Sequence, residues 1–146
     1  MNAAIGSAAG EYLEHARAYL DRDCEVYGLP RSGPLYESLF AYLANPDAHD
    51  FRLDDLAGLT GGGLSAAMPM RVLDLGCGPG TLVWKALRRG HEAYGIDLNP
   101  KKIELARLWA TAMGYPDEWR SRVAVQNAGN LSFRDESFDL VTSYHV

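Results

Sequence analysis

Arg71-Val72-Leu73-Asp74-Leu75-Gly76-Cys77-Gly78-Pro79-Gly80 is the stretch whose reading decides the fold. Val72 and Leu73 form an apolar, β-type run carrying an acid at Asp74, and glycines follow at 76, 78 and 80. Thr81 then opens a helical pattern, Leu82-Val83-Trp84-Lys85-Ala86-Leu87. Strand, glycine-rich turn and helix in that order build a ligand site at the carboxyl edge of a parallel sheet. Without a Cβ, such a turn lets backbone lie close against a ligand.

Downstream, the pattern repeats. The helix from Thr81 ends at Gly90, and Glu92 to Ile96 reads as a second strand closed by Asp97. Asn99-Pro100 supplies an N-cap followed by proline at the first helical position. The helix it opens runs to about Met113, with Ile103, Ala106, Ala110 and Met113 on one face. Arg122 to Gln126 and Phe138 to Ser143 read as third and fourth strands. Strands alternating with helices predict an α/β fold, a Rossmann-like parallel sheet with right-handed crossovers.

Upstream, the chain is helical. Tyr12, Leu13, Ala16, Tyr19 and Leu20 recur at helical steps between about Ala9 and Val26, after a frayed start over residues 1–8. A second helix is predicted from Pro34 to Ala44, stopped by Asn45-Pro46-Asp47. A short helix over Phe51 to Leu59 and a glycine-rich link over 60–66 complete a helical cap, residues 1–65. The sheet domain then occupies 66–146. Five of the eight tyrosines (Tyr12, Tyr19, Tyr27, Tyr36 and Tyr42) fall in the cap. They suit either a lid over a cationic or aromatic ligand or plain packing between amphipathic helices.

Composition narrows the partners. A net charge of −5 over 146 residues disfavours a nucleic-acid surface, which needs a basic face. Two cysteines, Cys24 and Cys77, make no disulfide framework, and the expected setting is reducing and cytoplasmic. No basic start with an apolar core marks Met1 to Gly10 as a secretion signal, and no run suits a membrane span. His15, His49 and His91 show no ligand spacing with His145, so no metal is expected.

The ligand follows from the turn's chemistry. A dinucleotide fingerprint spaces its glycines G-x-G-x-x-G to seat a pyrophosphate, whereas this turn reads G-x-G-x-G and Pro79 removes an N–H donor. A carboxylate at Asp74 repels phosphate and attracts an ammonium or sulfonium group. No Gly-Lys-Ser/Thr follows, so the Walker A pattern fails as well. A cationic ligand fits better.

Val72 to Gly80 resembles motif I of the class I S-adenosylmethionine-dependent methyltransferases. Tyr94-Gly95-Ile96-Asp97-Leu98-Asn99 is similar to motif II, Val125 to Phe133 resembles the motif III segment, and Ser137 to Val141 resembles the start of strand 4. Four segments in register cover roughly residues 70–146. The resemblance implies strand order 3-2-1-4, incomplete relative to the seven-stranded family sheet. It implies S-adenosylmethionine as cofactor, with S-adenosylhomocysteine as product, and an unidentified small-molecule methyl acceptor. By the same resemblance, Gly76, Cys77, Gly78 and Gly80 lie against the methionine and sugar, and Asp74 helps hold the methionine ammonium. Asp97 accepts from the ribose hydroxyls, Leu98 packs on the adenine, and Asn127-Ala128 meets the adenine edge. The family usually has aspartate where Asn127 stands, so that contact loses charge assistance; a turn role is the alternative for Asn127.

Tyr144 and His145 lie at the exit of the fourth strand, near the expected methyl position; His145 could serve as a base, but a lone histidine at a chain end is usually incidental, and no catalytic residue is selected. The sequence stops just after this strand, so the expectation is a cofactor-binding portion, truncated and inactive alone, with an apolar strand edge open to association. The alternatives are a non-catalytic binding module that keeps cofactor affinity and an NAD-dependent oxidoreductase, the latter disfavoured by Asp74, Pro79 and the glycine spacing.

Overall fold

The computed structural model describes residues 3–48 and 69–144. Two helices, α1 (Ala3–Tyr27) and α2 (Pro34–Ala44), precede a 3-10 turn at Pro46–Ala48. Then come β1 (Arg71–Leu75), α3 (Thr81–Arg88), β2 (Glu92–Asp97), α4 (Pro100–Ala112), a 3-10 segment at Asp117–Arg122, β3 (Val123–Val125) and β4 (Leu140–Ser143). The four strands form one sheet in the order β3-β2-β1-β4, and every pairing is parallel. The predicted architecture and strand order are the observed ones.

Several boundaries moved, and β4 starts at Leu140 rather than at Phe138. α1 starts at Ala3 rather than near Ala9, in keeping with the helix propensity of the alanine-rich start. β3 is only three residues long, because Asp117–Arg122 coils into a 3-10 segment that Arg120 ties to Asp117 at 3.0 Å. On α4, Ile103, Ala106 and Ala110 are buried as expected, but Met113 is 43% exposed beyond the helix end. Leu105, Trp109 and Ala112 are buried too, since α4 packs against α1 as well as the sheet and buries more than one stripe. The helix and link expected over 51–66 lie outside the described residues.

Tyr12, Ala16, Leu20 and Cys24 recur every fourth residue and form the buried stripe of α1. They share one core with Val72, Val83, Trp84, Ala93, Ile103 and Val123. Tyr12 stacks on Trp109 at 5.0 Å between ring centroids and donates its hydroxyl to the Leu43 carbonyl near the end of α2. Such carbonyls have no intrahelical partner, so this bond serves the packing of α1 on α2. Arg17, Tyr36 and Asp21 fasten the same pair of helices from outside, with Tyr36 donating to Asp21 at 2.7 Å. The helical layer is thereby fixed over the carboxyl edge of the sheet. Among the described residues, no helix is long and apolar enough to cross a membrane.

Candidate cofactor site

The turn after β1 is built from hydrogen bonds that leave it few donors. The N–H groups of Gly76 and Cys77 both donate to the Ile96 carbonyl, at 2.8 and 2.9 Å. Gly78 donates to the Asp97 carboxylate at 3.0 Å, and Gly80 to the Cys77 carbonyl at 3.0 Å. Pro79 has no N–H to offer. A phosphate cradle works by turning such groups outward. Here they are turned inward, onto the end of β2.

Gly80 serves the fold. It caps α3 in a left-handed conformation, φ 83°, and a Cβ there would lie 2.5 Å from the Trp84 indole nitrogen. That indole is fully buried and donates to the Pro79 carbonyl at 2.9 Å, which clamps the turn to the first turn of α3.

Two buried carboxylates flank the turn. Asp74 is 2% exposed and accepts from the Thr142 hydroxyl of β4 at 2.8 Å. Asp97 is 8% exposed; besides Gly78 it accepts from the Asn99 N–H at 2.9 Å. A carboxylate offers about four acceptor positions, so Asp97 keeps capacity for further donors. Cys77 registers both charges. Its thiol is pushed well above the usual range by burial first, then by the negative fields of Asp74 and Asp97, with Lys102 opposing. Negative potential at the turn favours a cationic ligand group.

Above the turn lies a cavity of about 370 Å³ between the helical layer and the sheet edge. Gly76, Cys77, Gly78 and Tyr144 line it, so the structure brings these four sequence-predicted residues together. Asp74 and Asp97 are buried beside the turn and Gly80 faces Trp84, none of them on the wall. Leu98 is 67% exposed just beyond Asp97. Gln126 donates to the Asp97 carbonyl at 3.2 Å, so Asn127 sits at the same edge, exposed, with its side chain accepting from Gly129 at 2.8 Å. Ala128 borders a separate shallow depression with Leu73, Phe133, Phe138 and Val141. The last three predicted residues thus lie outside the cavity wall.

The rest of the wall comes largely from the cap, which the sequence left ambiguous. Tyr19, Asp23 and Tyr27 project from α1 at four-residue steps, and Tyr42 comes from α2. That spacing was the readable signal. The tyrosines divide: Tyr12 and Tyr36 are buried structural residues, whereas Tyr19, Tyr27 and Tyr42 face the cavity. The Tyr19 hydroxyl is hydrogen-bonded to Asp23; burial, that bond and the charge of Asp97 keep it protonated well beyond the usual phenol range. Thr81 and Lys102 are further wall residues that the sequence reading did not select.

A parallel β3-β2-β1-β4 sheet with a glycine turn leaving β1 and an acid ending β2 defines a Rossmann-like α/β protein with its site at the carboxyl edge. The cavity's size falls in the ~300–1,000 Å³ range of small-molecule sites. Within this class, the chain belongs to the methyltransferase domain family, whose model matches residues 72–146. It is 33% identical over 105 residues to a ubiquinone biosynthesis O-methyltransferase of Cereibacter sphaeroides, covering 70% of this chain and 41% of that protein. To the protein of the same name from Paracidovorax citrulli it is 40% identical over 80 residues, 55% of this chain and 33% of the relative. The chain therefore spans less than half the length of these relatives. The crystal structure of the PH0226 protein from Pyrococcus horikoshii OT3 superposes with a TM-score of 0.54 at 26% identity, over 75% of this chain and 50% of that one. Family membership implies use of S-adenosylmethionine and a methyl acceptor.

Proposed function

We propose that the cavity over the glycine turn binds S-adenosylmethionine and that the protein is a methyltransferase acting on a small-molecule acceptor. The observation that carries this reading is the pair of buried carboxylates, Asp74 and Asp97, flanking a turn whose N–H donors are already used. Such a site suits a sulfonium or ammonium cation and opposes a pyrophosphate. The aromatic faces of Tyr19, Tyr27 and Tyr42 suit the same charge.

In this reading Asp97 keeps its bonds to Gly78 and Asn99 and accepts from the ribose hydroxyls with its remaining lone pairs. Asp74, oriented by Thr142, faces the amino-acid end. Leu98, Asn127 and Ala128 border the adenine at the strand edge, and Tyr144 stands near the methyl position. The cofactor, when bound, supplies an electrophilic methyl carbon. The chain's own part is to hold that carbon in line with a nucleophile and to exclude water, which the cap side chains do. The names of the relatives point to oxygen as the acceptor atom.

Titration calorimetry with S-adenosylmethionine, S-adenosylhomocysteine and NAD tests the reading. Binding of both sulfur ligands and not NAD is expected; NAD binding alone overturns it. Replacing Asp97 with Ala is expected to weaken S-adenosylhomocysteine binding by ~1.5–3 kcal/mol, the range for hydrogen bonds to a charged group. Unchanged affinity would remove Asp97 from the site.

A further inference from the structure

We infer that Arg107 guards the free edge of β3 against strand addition by a second copy of this chain. Among the described residues, β3 stands at the end of the sheet and pairs on one side only, with β2. Successive residues of a strand turn their N–H and C=O groups to its two sides alternately. Asp97 lies opposite Val125, and the Gln126 N–H donates to the Asp97 carbonyl at 3.2 Å. Ala124 and Gln126 therefore bond toward β2, and Val123 and Val125 present their backbone groups outward. Val125 is 49% exposed, and beside it a groove of about 440 Å³ runs between the strand edge and α4. An outward row of this kind is a template for another strand.

Arg107 interrupts that row. From α4 it donates Nη2 to the Val123 carbonyl at 2.9 Å and Nε to the Arg120 carbonyl at 3.3 Å. The held Val123 carbonyl is the one a second copy needs. Two β3 strands related by a two-fold axis run antiparallel. With Ala124 opposite Ala124, the Val125 N–H of each copy meets the Val123 carbonyl of the other. Arg107 occupies this acceptor with a charge-assisted bond, which must break before a strand can be added. Arg107 also lines the groove, so the two-fold brings a like charge from each copy to the joint.

Sedimentation equilibrium on the full chain tests this with wild type, Arg107→Met, Val125→Pro and the double variant. Methionine keeps an unbranched stem and loses the donors. Proline removes the outward Val125 N–H and is tolerated where that group faces solvent. Arg107→Met should raise the self-association constant at least about tenfold over wild type, and the double variant should return to the wild-type value. Because the readout is a ratio to wild type, association through any other surface cancels. An Arg107→Met chain that associates no more than wild type overturns the assignment, and so does a gain that survives Val125→Pro. Amide hydrogen exchange on the wild type needs no variant to fold. Val125 should exchange fast at every concentration, while Gln126 is protected by its bond to β2. Protection of Val125 that grows with concentration would show the edge already paired and the guard ineffective.

Discussion

Gly80→Ala should cost the fold far more than Gly78→Ala, although both alter the same turn. At Gly80 the methyl must accept φ 83° and would sit 2.5 Å from Nε1 and 2.7 Å from Cε2 of Trp84. The left-handed backbone costs an alanine ~1–2 kcal/mol. Trp84 is 0% exposed, so its indole has no free space to enter, and overpacking of this kind costs ~1–3 kcal/mol. If the ring does shift, its 2.9 Å bond to the Pro79 carbonyl is lost, at roughly 1 kcal/mol. The sum is about 3–6 kcal/mol, a large part of the ~5–15 kcal/mol that holds a domain folded. At Gly78, φ is 54° and nothing lies within 4 Å of the added Cβ, so only the ~1–2 kcal/mol backbone term remains. Urea unfolding followed by far-UV circular dichroism measures both variants. Equal midpoints for the two would refute the assignment of Gly80 to packing against Trp84. Calorimetry should show the complementary pattern, with Gly78→Ala folded and impaired in ligand binding because that methyl enters the cavity side of the turn.

Cys77 should resist alkylation in the folded chain at mildly alkaline pH, because burial and the two neighbouring carboxylates keep its thiol protonated. Labelling followed by mass spectrometry should show Cys77 modified only after denaturation; rapid native labelling would contradict that environment. Glu92 has a carboxyl lowered first by the Tyr94 hydroxyl, then by Arg71 and Arg122. A depressed folded value means its stabilisation is present above the unfolded carboxyl range and is lost as pH falls through the folded value. Glu92→Gln should therefore flatten the acid side of a stability-versus-pH curve; with 41% of the side chain exposed, the loss at neutral pH should stay below ~1 kcal/mol after solvent screening. An acid limb unchanged by the substitution would show that Glu92 contributes nothing there.

Local chemistry was legible from the chain alone. The β1 run, the glycine turn, the Asn99-Pro100 helix start and the acids at 74 and 97 announce themselves through spacing and residue type. They sufficed for a parallel sheet, and they underlie the reading of a cationic rather than a phosphate ligand at its carboxyl edge. The spent donors of the turn were not legible, because the Gly78–Asp97 bond spans 19 residues and the Asp74–Thr142 bond spans 68. Nor was the division of labour among the glycines: spacing cannot show that one faces a buried indole and another a cavity.

The tyrosines mark the boundary most clearly. A four-residue step identifies which side chains share a face of α1, and so groups Tyr12 with Ala16 and Leu20, and Tyr19 with Asp23 and Tyr27. It says nothing of what each face meets. Packing of α1 against α4 and α2 turned the first stripe into core and the second into a cavity wall. Periodicity is a property of one helix, whereas burial depends on the partner surface, and only the tertiary structure supplies that surface.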